Sequence, residues 1–200
     1  MNKLITVVGA SGVGKTTLVR ALARAYPLGT AFEEHAERPF QALFKADARY
    51  ALANQIDYLL RCAEQEAELR ASPRAQIGLM DGGLDLDFHG FTRLFHARGF
   101  LTDAEFDLCR RVYNLIRETL PPPEFIVHLC ANERTVTDRL STRDRINIAR
   151  AEDTALFNSL LDEWLASLPR GQVLVLDVSN ETLQYKHSVD MILNRIQTSL

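Results

Sequence analysis

Gly9-Ala10-Ser11-Gly12-Val13-Gly14-Lys15-Thr16 lies between an apolar run, Leu4-Ile5-Thr6-Val7-Val8, and a helical run that opens Thr17-Leu18-Val19-Arg20-Ala21-Leu22. The order strand, glycine-rich turn, helix is what a phosphate-binding loop requires. Glycines let successive backbone N–H groups turn inward around a phosphate chain, and the following helix directs its positive end at the same anion. Gly9, Ala10, Ser11, Gly12, Val13, Gly14, Lys15, Thr16 and Thr17 form the candidate phosphate site, with Lys15 reaching the β- and γ-phosphates. The Thr16 hydroxyl is placed to join the shell of a magnesium ion. The motif predicts binding of a nucleoside triphosphate.

The chain as a whole fits that reading. Two hundred residues suit one domain with a substantial core, here taken as 1–200. With 46% hydrophobic and 24% charged residues and a net charge of −3, the chain reads as a soluble globular protein with no general affinity for nucleic-acid polymers. Cys62, Cys109 and Cys130 are widely spaced and read as reduced thiols of a cytoplasmic protein. The first strand begins at once, leaving no room for a signal peptide, and no apolar run is long enough to span a bilayer.

Further strands are expected at Thr30–Glu33, at Gln76–Met80 leading into Asp81, at Glu124–Cys130 after Pro121-Pro122-Pro123, and at Gln172–Val178. Helices are expected over Gly14–Tyr26, Ala46–Arg70, Asp103–Leu120, Asn132–Ser141, Ala151–Leu168 and Ser188–Thr198. Continuous apolar strands alternating with helices predict a three-layer α/β fold with a parallel sheet of about five strands. Ligands then gather at the strands' carboxyl ends. Thr102-Asp103-Ala104-Glu105 has capping-box spacing, so its acids serve a helix start.

Three features favour a small-molecule kinase over a switch or motor. Asp81 ends a strand, where a carboxylate holds magnesium; an ordinary turn residue before Gly82-Gly83 is the plain alternative. Arg139, Arg143 and Arg145 cluster near a helix end, the first two sharing a face, as in a lid over a transferring phosphoryl group. A solvated basic helix end is the competing explanation. No Asn-Lys-x-Asp guanine signature is present.

With these residues in view, the chain resembles the deoxynucleoside kinases, especially the bacterial deoxyadenosine and deoxyguanosine kinase branch. The resemblance rests on the loop, on Phe32-Glu33-Glu34-His35-Ala36-Glu37-Arg38-Pro39-Phe40, on Arg49-Tyr50-Ala51-Leu52-Ala53-Asn54-Gln55, and on Arg139-Leu140-Ser141-Thr142-Arg143-Asp144-Arg145. It implies a five-stranded kinase sheet, a lid over about 141–151, and homodimerisation. It also implies transfer of the γ-phosphoryl group of ATP to a deoxynucleoside 5′-hydroxyl, with Mg2+, in nucleotide salvage. Glu33, or Glu34 one residue on, becomes the general base; Gln55 and Asp87 contact the base of the acceptor, with Tyr50 and Arg61 nearby; Thr16 and Asp81 serve the metal. Arg38 stands where the family has Asn.

One departure matters. The family follows its third strand with an acid, Arg and Ser, whereas this chain has Asp81-Gly82-Gly83. Arg38, Arg61 and Arg93 are the candidates to replace the lost arginine, as are backbone N–H groups freed by the two glycines. Alternatively the acceptor differs, or the protein binds nucleotide with little turnover. A nucleoside monophosphate kinase of the thymidylate type is the other rival, with Arg38 as its phosphate clamp. His35 and His89 read as surface or core histidines, and Phe88 as core.

Overall fold

The computed structural model describes residues 1–32, 38–141 and 151–199. Five strands, β1 (Lys3–Val8), β2 (Gly29–Ala31), β3 (Ile77–Asp81), β4 (Phe125–Cys130) and β5 (Val173–Asp177), form one sheet in the order β2-β3-β1-β4-β5. Every pairing is parallel. From Leu4 to Val8, β1 is buried on both faces, which is why its apolar residues run without alternation.

The three-layer expectation holds. On one face of the sheet, α1 (Lys15–Ala25) and α9 (Lys186–Ser199) bury Leu18, Val19, Leu22, Val189, Ile192 and Ile196 against Ile5, Val7, Leu79, Val127 and Leu176. Each such side chain contributes roughly 1.5–3 kcal/mol when fully buried. On the other face, α3 (Ala51–Ala71) packs Leu69 on Leu4 and Met80, and α8 (Ala151–Ala166) packs Phe157, Leu161 and Trp164 near Val8 and Ile126. Helix α6 (Asp103–Thr119) lies against α3. Its start carries the expected capping box, with the Thr102 hydroxyl accepting from the Glu105 N–H and Glu105 accepting from the Thr102 N–H.

Two helical regions lie outside the expectations. Helix α2 (Pro39–Ala46) uses Pro39 as a first-turn residue. After β3 the chain runs through α4 (Leu84–Leu86), a π-helical segment (Asp87–Thr92) and α5 (Arg93–Ala97). The π turn breaks the 3.6-residue period, so this region has no clean amphipathic pattern to read. Strand β2 is shorter than expected and ends two residues before Glu33. Glu33, Glu34, Arg143, Arg145 and most of the 141–151 segment lie outside the described residues. Among the described residues, no helix is long and apolar enough to cross a membrane, and Cys62, Cys109 and Cys130 form no disulfide.

A buried polar network fastens the corner after β3. Fully buried Glu66 accepts from Arg70 at 2.9 Å and from Arg117 at 2.9 Å, and the Arg117 Nε donates to Asp85 at 2.9 Å. The Tyr113 hydroxyl donates to Asp85 at 2.8 Å, and His89 meets Tyr113 at 3.3 Å. Burial works against the Arg117 charge, yet Asp85 and Glu66 reverse that and hold it firmly protonated. The His89 ring stacks on Trp164 with centroids 4.9 Å apart. Burial, opposed by Asp85 but reinforced by Arg93 and Arg117, lowers its pKa to about 4.

Two outcomes follow from this network. Arg117→Met leaves Asp85 and Glu66 with less compensation in the interior and is expected to cost about 3 kcal/mol in urea unfolding. His89 stays neutral in the folded protein down to about pH 4, while the unfolded chain takes up its proton near 6.5. Stability from this group is therefore complete above 6.5 and is lost as pH falls toward 4. In His89→Phe, the unfolding free energy measured across that window declines less steeply than in the wild type.

Candidate active site

The phosphate loop leaves β1 at Gly9 and enters α1 at Lys15. Gly9, Gly12 and Gly14 have positive φ of 145°, 83° and 110°, conformations that side-chain-bearing residues rarely adopt. Gly14 caps α1 with no side-chain acceptor, so the first N–H groups of the helix face the loop. The Lys15 ammonium folds back on the loop, donating to the Gly9 and Ala10 carbonyls at 3.0 and 3.2 Å. Ser11 is exposed and Thr17 half-buried.

Thr16 and Asp81, both expected to serve a metal, meet directly. Parallel pairing sets Val7 beside Asp81, and the Thr16 hydroxyl donates to the Asp81 Oδ2 at 2.5 Å. Both are buried, at 7% and 3% exposure. A hydroxyl and a carboxylate in contact beside a phosphate loop are the hard oxygen donors that suit magnesium, which takes few protein ligands and keeps waters and phosphate oxygens. The residues present therefore fit the ion.

Gln55 and Asp87 also come together, although 32 residues separate them. Gln55 projects from α3, Asp87 opens the π-helical segment, and the Gln55 amide donates to Asp87 Oδ2 at 2.5 Å. The two are 1% and 8% exposed. Because a carboxylate only accepts, it takes the NH2 end of Gln55 and leaves the amide carbonyl as an acceptor. Tyr50 and Arg61 have other surroundings. Tyr50 is exposed on a short 3-10 turn before α3, and Arg61 is paired with Glu64 at 3.4 Å on the same helix. Phe88 stacks on Tyr113 with centroids 4.2 Å apart, a core contact as expected.

Arg139, near the end of α7 (Glu133–Ser141), reaches back to the loop. It donates to the Val13 carbonyl at 2.5 Å and to the Val178 carbonyl, just past β5, at 3.1 Å.

Each of the three candidates for the missing arginine's place already has a carboxylate partner. Arg38 is held by both oxygens of Asp57 at 2.6 Å, Arg93 bonds Glu163 at 2.8 Å, and Arg61 faces Glu64. Gly82 and Gly83 have φ of 83° and 107°. Among the described residues a Cβ on Gly82 would meet only Leu86, at 3.5 Å, so the strain of a side chain there comes from the backbone conformation. Nor does the Gly82 N–H serve a ligand, because it donates to the Val7 carbonyl at 2.9 Å. Residue pattern also failed to single out Tyr185, Asp57 and the Asp85–Arg117 pair; for Glu66 and Arg70 the four-residue spacing was the available signal.

Comparison with known proteins agrees with this geometry. The model of the deoxynucleoside kinase family matches residues 5–200. A deoxyadenosine/deoxycytidine kinase of Bacillus subtilis (strain 168) is 24% identical over 98% of this chain and 92% of its own. A deoxyadenosine kinase of Dictyostelium discoideum is 28% identical over 70% of this chain, a match that spans 57% of the length of that relative. The structure of a deoxyadenosine kinase from M. mycoides with bound dCTP superposes with a TM-score of 0.79 at 18% identity, covering 98% of this chain and 99% of that one. A sheet of order β2-β3-β1-β4-β5, a phosphate loop joined to a strand-end aspartate, and a family match along nearly the whole chain lead to one conclusion: the chain belongs to the deoxynucleoside kinase family.

Proposed function

We propose that this deoxynucleoside kinase moves the γ-phosphoryl group of ATP to the 5′-hydroxyl of a deoxynucleoside whose base carries an exocyclic amino group. The observation that carries the reading is the pair of buried polar contacts flanking the Asp81-Gly82-Gly83 corner: Thr16–Asp81 on the donor side and Gln55–Asp87 on the other. In this reading Gln55 and Asp87 meet the acceptor's base. Together they offer a carbonyl and a carboxylate, acceptors that match an amino group and reject a keto edge such as that of thymine.

The division of labour follows from charge. Lys15 and the N–H groups of Gly9–Thr17 hold the donor phosphates, releasing Lys15 from its own loop carbonyls. Thr16 and Asp81 would hold magnesium, which when bound neutralises phosphate charge. Glu33, from its place in the sequence, accepts the proton of the 5′-hydroxyl. Arg139, Arg143 and Arg145, with 141–151 as the lid, stabilise the phosphoryl group in transfer. A single domain, homodimeric assembly, a cytoplasmic setting and a role in nucleotide salvage belong to the same reading and are supported by family membership. The mononucleotide-kinase rival has less support, because the family match is to deoxynucleoside kinases and Arg38, its candidate clamp, pairs with Asp57. With no arginine at position 82, phosphoryl transfer is expected to be slow, by roughly 10²–10³-fold relative to a site that keeps such a charge.

The decisive assay incubates the protein with Mg-ATP and a panel of nucleosides and mononucleotides, with products resolved by liquid chromatography and mass spectrometry. Deoxyadenosine, deoxycytidine or deoxyguanosine is expected to yield its monophosphate, thymidine far less. Lys15→Ala and Glu33→Gln should each reduce product by about 10²-fold or more. Phosphorylation of mononucleotides alone, or ATP binding without any product, overturns the reading.

Position 82 supplies a second expectation. Gly82→Ala and Gly82→Arg both force a side chain onto a left-handed backbone, and each should cost about 1–2 kcal/mol in urea unfolding. Gly82→Arg should not raise kcat, because the left-handed backbone at this position strains any side chain placed on it.

A further inference from the structure

Among the described residues, Tyr185 is the one non-glycine with positive φ, at 49°, and its side chain is 1% exposed. A tyrosine keeps that conformation only where its surroundings over-determine it. Its surroundings are the phosphate loop. A Cβ on Gly14 would overlap the Tyr185 hydroxyl and lie 3.1 Å from the ring Cζ and 3.3 Å from Arg139 Nη1. The phenol thus rests against the last glycine before Lys15. The Arg139 guanidinium lies over the same ring, 5.9 Å from its centroid, while donating to Val13 and Val178.

Helix α7 closes the other side. A Cβ on Gly12 would come within 2.7 Å of Leu140 Cγ and 3.3 Å of Val136 Cγ1. Gly12-Val13-Gly14 is therefore enclosed by three α7 side chains and by the turn before α9. The geometry of those three residues is not set by their own sequence, since two of them are glycines with wide conformational freedom. A site that must present N–H groups in one arrangement needs a rigid support behind it.

We propose that Tyr185 is a positioning residue for the phosphate donor. Its ring is the surface on which Gly14 and Arg139 are set, so it fixes the loop's N–H groups and the foot of the arginine helix in one register. The proposal rests on the loop being the ATP site. Tyr185 packs in the core between α1, α9 and the sheet, whereas Gln55 and Asp87 meet on the side of α3, so its effect falls on the donor and spares the acceptor.

The test compares Tyr185→Leu and Tyr185→Phe with the wild type for the KM of ATP, the KM of the nucleoside, Tm, and the calorimetric affinity for Mg-ATP without nucleoside. Tyr185→Leu should raise the KM and Kd of ATP about tenfold and move the nucleoside KM by less than about twofold, the loss expected when a ring supporting a cation is removed. Tyr185→Phe, which keeps the ring, should recover most of the loss. A fall in Tm with unchanged ATP affinity, or equal rises in both KM values, overturns the proposal. If Tyr185→Leu does not fold, Tyr185→Met takes its place, and the same split between the two KM values supports or overturns the proposal. Wild-type protein that binds Mg-ATP yet phosphorylates no nucleoside would overturn the kinase reading alone, and the ratio of ATP affinities would still decide the role of Tyr185.

Discussion

The position of β1 between β3 and β4 is the constraint on which the site depends. Its central place gives it parallel hydrogen bonding on both edges, and its side chains are buried on both faces. The register Val7↔Asp81 brings the end of β3 level with the start of the phosphate loop, and the Gly82 N–H extends that pairing onto Val7. At the second residue of α1, Thr16 then stands within hydrogen-bond reach of Asp81. A slip of one residue would turn Asp81 to the opposite face of the sheet and separate the pair.

Behind that corner the protein has placed an unusual amount of charge in its interior. Glu66, Arg70, Arg117 and Asp85 link α3, α4 and α6, with Tyr113 and His89 completing the chain of contacts. Interior charges are costly to desolvate and are tolerated when each finds partners. Here they anchor the residues just past Gly82-Gly83, a segment whose own backbone conformation is permissive. The corner combines a freely shaped backbone with rigid fastening on its far side. That combination accounts for how Asp87, and with it Gln55, is held despite two successive glycines.

Much of this was legible from local pattern. The loop and its flanking strand and helix, the five parallel strands and the α6 capping box all follow from short motifs or continuous apolar runs, where a local rule decides the outcome. The Gln55–Asp87 contact was reachable only through the family resemblance, since a helical glutamine carries no signal of its own. The π-helical segment was not legible, because its extra residue per turn erases the helical period. The fate of Arg38 and Arg93 was not legible either, because their partners, Asp57 and Glu163, lie 19 and 70 residues away on other elements, beyond the reach of a local pattern.

The sequence by itself determined the kinase class, the parallel sheet and the phosphate loop, because those rest on interactions among neighbours in the chain: glycine freedom, helix-end polarity and runs of apolar residues. Tertiary structure alone decided which carboxylates the candidate arginines meet and which side chains pack against the loop. Whether another guanidinium can serve the site depends on which carboxylate already holds it. The role of Tyr185 likewise depends on the loop from the other end of the chain that packs against its ring. The packing of Tyr185 on Gly14, between opposite ends of the chain, is set by the closing of the sheet, and no local pattern encodes it.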